Sequence, residues 1–579
     1  MRRLLAALTA RLGDRRALWL VPLLGCLLVA PSLGNGLDMD DFVHRYKARG
    51  VFGEGAGARL DLFSFWPGDP AARATFQDVG YTPWFAAPDL KIAFFRPIAA
   101  ALACVDYELL DGHPALMHAE SILWYGLLVL AVLVLLRRFL PAGVAGLAGL
   151  LYAIDDAHGY PVGWLANRNA VLATLLGVLA LWAHDRWRRD RWRPGALLGP
   201  LAFVAALLAG ELAVSVLGYL VAYALFVDPA RPGRARRCLA LAPYLMAFVV
   251  WQIAYRQLGY GTHGSGWYVD PVTDLGHFVK VAPGRAGALL LSAFALPPSD
   301  VYGFGASPVP QIVAAIGVLV LGWIAWLVAA RVWREPILRF FLVGSLLALV
   351  PVLPGLPADR LLFFVGIGVF AIVASLLGTL AAPGAPRSSR ALRGLWIGAH
   401  MVIAPLVLVA GSLVPAQVQR TGDQGLTGLA EALPPGRPLV VLLNMPNAFA
   451  GSRLIFPEDQ VVPRRVRILA TAAHAVRVTR DDARTLTLVM DASEPVGPLL
   501  ALFRSEEAPL KSGDRFDVPH MHAEILAADA QGVPRAARFR FEVPLEDPSL
   551  ALIAWNGARI ERFAAPPVGT TVTVGKGAP

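Results

Sequence analysis

The chain has 579 residues, of which 56% are apolar and only 16% are charged. Its mean hydropathy is positive, which leaves too little polar surface for a soluble enzyme of this size and indicates an integral membrane protein. The net charge of +10 does not indicate a nucleic-acid binder, because the basic residues are mostly arginines in short segments between apolar runs, as in the cytoplasmic loops of membrane proteins.

Apolar segments long enough, or nearly so, to cross a bilayer occupy most of the chain up to Val414. The first segment resembles a cleaved signal sequence, but it continues past Cys26 to roughly the twenty residues of a span, which favours an uncleaved helix. We predict an all-α membrane bundle of about eleven spans, at residues 17–35, 119–136, 141–154, 164–183, 196–210, 212–227, 239–257, 309–330, 338–354, 361–382 and 392–414.

Every second connection between these segments is rich in arginine. The N-terminal segment and residues 137–138, 184–193, 231–237, 331–339 and 386–393 belong to this set, so we expect them and the N-terminus to be cytoplasmic. The alternate connections, which begin with a first outer loop at 36–118, then face outward. The bias towards Arg, Ala and Gly is typical of a high-GC bacterial genome, so we expect a bacterial inner membrane.

The pattern changes after Val414. Residues 421–579 alternate apolar and polar with a period of two, as in RTLTLVMD and RFRFEVP, with turn residues between such segments. This predicts a transmembrane domain at 1–415 followed by a soluble, mostly β, periplasmic domain at 421–579. The second domain has no catalytic signature; we expect it to recognise an acceptor or cover the active site, and a purely structural role is equally compatible.

The stretch GLDMDDFVHRYKARG, residues 36–50, follows the first apolar segment directly. Its acids, Asp38, Asp40 and Asp41, could simply cap a helix or solvate a loop. Other ionisable groups collect in the same outer loops, near the ends of spans, where they are costly unless they pair or function. Carboxylates mixed with arginines suit a lipid-linked phosphate substrate, because a guanidinium matches phosphate oxygens and a carboxylate can take a proton from a hydroxyl.

Five segments between residues 38 and 368 carry a family resemblance, in the same order along the chain. They are MDDFVHR with Asp40 and Asp41, FFRPI with Arg96, LYAIDDAHGYPVGWLANRNAVLA with Arg168, AGELAVSVLGYL with Glu211, and ADRLLFFVGIG with Arg360. Together they resemble GT-C membrane glycosyltransferases, in particular the protein O-mannosyltransferases and the transmembrane-and-tetratricopeptide O-mannosyltransferases, without the repeats of the latter. The chain departs from the pattern where Asp155 and Asp156 replace a His-Pro pair.

The resemblance implies inverting transfer of a sugar, with mannose as the guess it favours, from a polyprenyl-phosphate carrier to an acceptor hydroxyl on the outer face. Asp40 would be the general base and Asp41 would orient the acceptor or the base. Arg96, Arg168 and Arg360 would neutralise the lipid phosphate. The other candidates for substrate binding are Glu211, His113 and Trp164. The implied partners are the lipid-linked donor, a protein, lipid or polysaccharide acceptor, and membrane lipids, without nucleic acid.

Several alternatives stay open at this point. Arg168 could extend to lipid headgroups, Trp164 could belong to the interfacial aromatic belt, and His113 could be structural. Asp155, Asp156 and His158 could hold a divalent metal, although the resemblance implies no obligatory ion. The competing functions are a ligase that uses a polyprenyl-diphosphate donor and, further from the pattern, a transporter.

Overall fold

The structure is a computed structural model that describes residues 2–53, 55–229, 234–381, 384–436, 438–470, 475–490 and 497–575. The chain divides into two compact units, each discontinuous in sequence. Unit 1 comprises Met1–Gly36, Phe94–Leu258 and Pro271–Pro415. Unit 2 comprises Leu37–Ala93, Gly259–Asp270 and Ala416–Pro579.

The helices of the first half of the chain are, in order, α1 (Arg2–Leu12), α2 (Ala17–Val29), α3 (Asp40–Ala48), α4 (Ala56–Arg59), α5 (Pro70–Val79), α6 (Pro97–Leu109), α7 (Pro114–Leu136), α8 (Ala142–Ala153), α9 (Gly159–Gly163), α10 (Arg168–Asp190), α11 (Gly195–Ala209) and α12 (Ser215–Phe226). A 3-10 turn, Ala30–Gly34, extends α2. Another, Glu211–Val214, leads into α12.

The remaining helices are α13 (Arg234–Leu239), α14 (Ala242–Gln257), α15 (Leu275–Phe294), α16 (Asp300–Gly303), α17 (Val309–Arg334), α18 (Pro336–Leu349), α19 (Phe363–Leu377), α20 (Arg387–Ile397), α21 (Ala404–Ser412), α22 (Val414–Gly425), α23 (Leu429–Ala432), α24 (Ala450–Ile455) and α25 (Gly497–Phe503). A π-helical segment, Gly398–Ile403, joins α20 to α21.

The strands are β1 (Ser64–Trp66), β2 (Lys91–Ala93), β3 (Gly261–His263), β4 (Leu439–Asn444), β5 (Val466–Ala470), β6 (Val476–Arg480), β7 (Thr485–Met490), β8 (Arg515–Val518), β9 (Met521–Ala528), β10 (Pro534–Phe541), β11 (Leu550–Trp555), β12 (Ile560–Arg562) and β13 (Thr571–Val574). All of them belong to unit 2.

Each apolar segment identified in the sequence forms a helix, and the chain is a multi-pass membrane protein. Among the described residues, six helical segments are long and apolar enough to cross a membrane: Ala17–Gly34, Pro114–Leu136, Leu165–Asp190, Arg237–Gln257, Val309–Arg334 and Arg387–Ser412. The other five predicted spans form apolar helices of only 10–17 residues, and a helix rises about 1.5 Å per residue against a hydrocarbon core of about 30 Å. The predicted count of about eleven spans is therefore not confirmed.

Unit 1 is built around α19. Every residue of this helix except Ser375 is buried, as expected of a helix that is apolar on all sides. Helices α8 and α18 pack against it. On the side of α19 that faces α18, Gly368 lies so close to α18 that a Cβ at this position would be 2.4 Å from the Phe341 carbonyl oxygen. Small residues permit such close helix approach in membrane proteins.

Unit 2 contains two larger sheets, as the period-two pattern predicted. The six-stranded sheet, with order β13-β6-β7-β10-β9-β8, is antiparallel throughout; Phe539 of β10 pairs with Leu486 of β7 in its buried face. The four-stranded sheet has the order β12-β11-β4-β5. Its β4 pairs in parallel with both neighbours and is buried on both faces, which accounts for its continuous apolar run.

The first outer loop is divided between the two units, which differs from the expectation. The sequence grouped residues 36–118 with the transmembrane helices that flank them, whereas residues 37–93 cluster with the C-terminal segment in unit 2. One reason is the three-stranded sheet β1-β2-β3, in which Ser64 pairs with Ala93 and Lys91 with His263. Another is that the Trp84 ring packs on Phe539 of β10, with ring centroids 5.1 Å apart.

Candidate functional site

The acidic turn after the first span, Leu37–Asp41, has an unusual backbone. Met39 has φ 37° and ψ −102°, a left-handed conformation that costs a non-glycine residue about 1–3 kcal/mol and persists only where surrounding contacts enforce it. The Asp41 carboxylate supplies one such contact, because its Oδ2 accepts a hydrogen bond of 3.0 Å from the Asp38 backbone N–H. Helix α3 then begins at Asp40, which is half-buried, whereas Asp41 is fully buried.

Asp38 is buried, and its surroundings change its protonation. Burial raises the pKa of this carboxyl to about 7, and the negative charge of Asp40 adds to the rise, against the opposing effects of the Met39 backbone N–H and Arg453. Its Oδ2 is buried and has no hydrogen-bond partner among the described residues. The acidic turn therefore holds one carboxyl that keeps its proton to near-neutral pH beside the half-buried Asp40. The sequence showed three acids in four positions but no sign that Asp38 and Asp41 are buried and Asp40 is not.

Arg96 and Glu211 form an ion pair in unit 1. The Arg96 Nε donates to Glu211 Oε2 at 2.7 Å, and the two side chains are 18% and 24% exposed. The guanidinium also lies over the Phe94 ring, 4.4 Å from its centroid. With the Asn169 amide oriented so that both of its groups are hydrogen-bonded, its oxygen accepts from Arg96 Nη1 at 3.3 Å. Arg96 is thus a partly exposed cation held in a fixed plane, which is the form of guanidinium that matches phosphate oxygens.

Arg168, in contrast, is buried, with 5% of its surface exposed. It donates to the Asp106 carboxylate and, at 3.2 Å, to Glu120 Oε2. It also donates to Ser121 Oγ at 2.9 Å and to the Met117 carbonyl oxygen at 2.8 Å. Two carboxylates therefore already surround its charge, and these contacts tie the start of α10 to α6 and α7.

Four carboxyl groups come together where the 154–163 loop meets the 353–360 loop. The side chains of Asp155 and Asp156 are hydrogen-bonded to each other, and burial together with the neighbouring negative charges raises the pKa of both. Burial and the charges of Asp300 and Asp156 raise the pKa of Asp359 to about 7. Asp359 Oδ1 accepts from the hydroxyl of Ser299 at 2.7 Å. This acidic cluster therefore carries fewer negative charges at neutral pH than its four carboxyl groups suggest.

His158 follows Asp155 and Asp156 closely in sequence, and its side chain lies among aromatic rings. Its Nδ1 is 3.4 Å from the Tyr125 hydroxyl, and its ring centroid is 4.5 Å from that of Tyr152. Within the described part of the chain, the ligand atoms of Asp155, Asp156 and His158 do not form a set that all lie within 4.8 Å of one another. The conformation shown is therefore not a formed three-ligand metal site.

Arg360 and Trp164 are the other predicted residues that unit 1 brings together. The guanidinium lies over the Trp164 ring at 5.6 Å, and that ring stacks on Tyr160 with centroids 5.1 Å apart. Trp164 is 6% exposed. Its ring is covered by protein groups, whereas a residue of the interfacial aromatic belt would be covered by lipid headgroups. His113 is exposed at the start of α7.

The predicted residues thus fall into small groups. Arg96 pairs with Glu211, Arg360 with Trp164, and Asp155 with Asp156 in unit 1, whereas Asp40 and Asp41 belong to unit 2. The residues that sequence reasoning missed are the partners: Asp106, Glu120, Asn169 and Asp300. Glu120 alone carried a usable signal, since it is an acid inside an apolar segment.

No model of a known protein family matches the sequence, and no curated protein matches it. Among solved structures, the chain is similar to the oligosaccharyltransferase of Archaeoglobus fulgidus, a GT-C family glycosyltransferase, with 12% sequence identity. The form tethered to an acceptor peptide has a TM-score of 0.42 and a match covering 79% of this chain and 64% of that one. The apo form has a TM-score of 0.42 with 79% and 65% covered, and the complex with Zn and sulfate has 0.35 with 78% and 62% covered.

The chain therefore spans less than two thirds of the length of the oligosaccharyltransferase that it matches. The structures to which the chain is similar thus include a GT-C enzyme, the class that the sequence motifs resemble.

Proposed function

We propose that this protein transfers a sugar, with inversion, from a polyprenyl-phosphate carrier to a hydroxyl of an acceptor at the outer face of a bacterial inner membrane. The observation that carries the proposal is the acidic turn Leu37–Asp41. There a strained backbone directly after the first span presents Asp40 beside a buried carboxyl that is protonated near neutral pH. Neighbouring acids in different environments are the usual arrangement by which one carboxylate serves as a base at pH 7.

In this proposal Asp40 takes the proton from the acceptor hydroxyl as the hydroxyl oxygen attacks the anomeric carbon. The bond between that carbon and the phosphate oxygen breaks, and the lipid phosphate leaves with the electron pair. Asp41 keeps the turn in place through its bond to the Asp38 backbone. A correctly placed general base is worth about a hundred- to ten-thousandfold in rate.

The leaving phosphate requires positive charge. Arg96 and Arg360 are the proposed phosphate ligands, because both are only partly buried and each is held in place, by Glu211 and by the Trp164 ring respectively. Arg168 would act indirectly, because it positions the start of α10 and therefore also positions Asn169, the next residue of that helix. His113, at the exposed start of α7, is assigned to binding of the lipid-linked sugar donor. The proposal requires no metal; if a divalent ion takes part, Asp155, Asp156 and His158 would have to rearrange to bind it.

The experiment is transfer by the purified protein, using labelled polyprenyl-phosphate mannose and a cell-envelope acceptor fraction. Wild-type protein should transfer label, and Asp40→Asn should lower the rate by about a hundredfold or more. The matched control is Asp517→Asn, which removes a carboxylate that is 83% exposed and should leave the rate unchanged.

Two results would contradict the proposal. Undiminished transfer by Asp40→Asn would remove the base assignment. Transfer only from a polyprenyl-diphosphate glycan, tested in parallel, would identify the protein as a ligase instead. The assay is repeated with other polyprenyl-phosphate sugars, because the described residues do not identify which sugar is transferred.

A further inference from the structure

A small cavity lies within the first outer loop, in unit 2. Its volume is about 80 Å³, and its walls come from a single stretch of chain, residues 47–76. The polar lining consists of Lys47, Asp61 and Ser64, and the apolar lining includes Phe52 and Phe76, whose rings stack with centroids 4.8 Å apart. A cavity of this size accommodates a chemical group of a few heavy atoms.

Lys47 is the charged group of this cavity. Its side chain is only 7% exposed, and its Nζ donates to the carbonyl oxygens of Asp61 at 2.6 Å and of Ser64 at 2.7 Å. An ammonium group has three N–H donors, so one of them is not used by these bonds. The nearby Asp61 carboxyl supplies negative charge to this ammonium group, and Nζ lies 5.8 Å from the centroid of the Phe76 ring.

The surroundings of Lys47 limit what the ligand can be. A single remaining donor suits one oxygen of a monoanion, whereas a phosphate dianion needs several donors to replace its water. The Asp61 carboxyl, which accepts from the Tyr260 hydroxyl at 2.9 Å, is a further source of negative charge that a dianion would meet. The rings of Phe52 and Phe76 provide an apolar wall for a short carbon chain.

We propose that this cavity binds the carboxylate of a small molecule, or of the end of a larger one, with Lys47 as the cation and the two phenylalanines against the attached carbons. Burial lowers the pKa of Lys47 to about 8, against the opposing effect of Asp61, so occupancy should decline as the pH rises above that value. The inference does not depend on the proposed transfer reaction, because binding is measured without donor or acceptor.

The test uses propionate as the probe and the full-length protein in detergent. Binding is measured by saturation-transfer NMR, with neutral propionamide as the isosteric comparison and inorganic phosphate as the dianion. Propionate should bind, in the millimolar range expected of a ligand with so few atoms, and the other two should bind roughly tenfold more weakly or not at all.

Three variants complete the experiment. Lys47→Met should abolish propionate binding. Ala72→Leu, which fills the cavity from α5 while leaving Lys47 in place, should abolish it as well and covers the case in which Lys47→Met does not fold. Ala74→Leu is the control, since Ala74 is exposed on the same helix and does not line the cavity.

Propionate binding that survives in folded Lys47→Met or Ala72→Leu protein would overturn the inference, as would equal binding of propionamide. Displacement of propionate by glucuronate or by acetyl-glycyl-glycine then identifies the source of the carboxylate as an acidic sugar or a peptide end. Failure of Asp40→Asn to affect transfer would leave these binding results unchanged, so the two proposals are tested separately.

Discussion

At the scale of single residues, the main result is that three neighbouring acids have three different environments. Asp38 is buried with a raised pKa, Asp40 is half-buried at the start of a helix, and Asp41 is buried and bonded to the backbone. Composition treats them as equivalent, but the folded environment raises the pKa of Asp38, with burial as the largest cause. This difference leads to a prediction about stability that requires no substrate.

Asp38→Asn should make the protein more stable than wild type at high pH but not at low pH. The folded-state pKa of Asp38 is raised from its usual 3.8 to about 7, so the stability that this group contributes is fully present below about pH 4 and is lost as the pH rises through about 7. Asparagine removes that loss. We expect a thermal midpoint about 5 °C above that of wild type near pH 8, with no gain near pH 4.

Thermal unfolding in detergent, followed by intrinsic fluorescence over this pH range, measures the difference. Asp517→Asn, at an exposed position, serves as the control and should follow the wild-type profile. A midpoint of Asp38→Asn below that of wild type near pH 8 would mean that the Asp38 carboxylate is stabilised by an ionic partner.

At the scale of elements, buried polar contacts join helices that are far apart in sequence. Arg168, at the start of α10, reaches Asp106 of α6 and Glu120 of α7, which are 62 and 48 residues away. Such a buried network holds helix ends in register, and removing one partner leaves charges uncompensated. Arg96, which is partly exposed and pairs with Glu211, is not expected to have this effect.

Arg168→Met should therefore lower the stability of the protein by about 3–5 kcal/mol, whereas Arg96→Met should lower it by about 1 kcal/mol or less. Chemical unfolding in mixed micelles, followed by tryptophan fluorescence, measures both. The double variant Arg168→Met, Asp106→Leu should recover part of the loss, because it also removes the stranded carboxylate. Equal effects of the two single substitutions would show that the Arg168 network does not hold the helices.

At the scale of the whole molecule, the chain alternates between apolar helices and polar segments, and unit 2 draws its residues from three separate parts of the sequence. For unit 2 to assemble, its three parts must lie on the same side of the membrane. The arginine-rich connections predict that the opposite ends of the spans lie in the cytoplasm. The topology is therefore a property that a single experiment can check.

A reporter phosphatase that is active only in the periplasm should be active when fused after Pro415 and inactive when fused after Arg193. A fusion within the segment Gly259–Asp270 of unit 2 should behave like the one after Pro415. Cytoplasmic behaviour of the fusion after Pro415 would overturn the assigned orientation and, with it, the outer-face reaction proposed for Asp40. Expression of each fusion is verified with an antibody against the reporter.

Local patterns in the sequence were enough to predict the main apolar helices and several C-terminal strands, but not the elements of the first outer loop or the helix α15. An apolar run long enough to form a helix and a period-two alternation are both read over a few consecutive residues, so α7, α10 and α17 and strands such as β7 and β10 were foreseeable. The number of membrane spans could not be predicted in the same way. The length of an apolar run does not state whether a short helix such as α19 crosses a membrane or fills the centre of a bundle.

What the sequence by itself determined about this protein is its membrane character, its helices and strands, and the positions where ionisable groups interrupt apolar segments. Only the tertiary structure decided that Arg168 is neutralised by Asp106 and Glu120, that Asp38 is buried, and that residues 37–93 and 259–270 pack with the C-terminal strands. The physical reason is that burial, ion pairing and sheet pairing depend on distances between atoms from remote segments. A pattern read along the chain contains no measure of those distances.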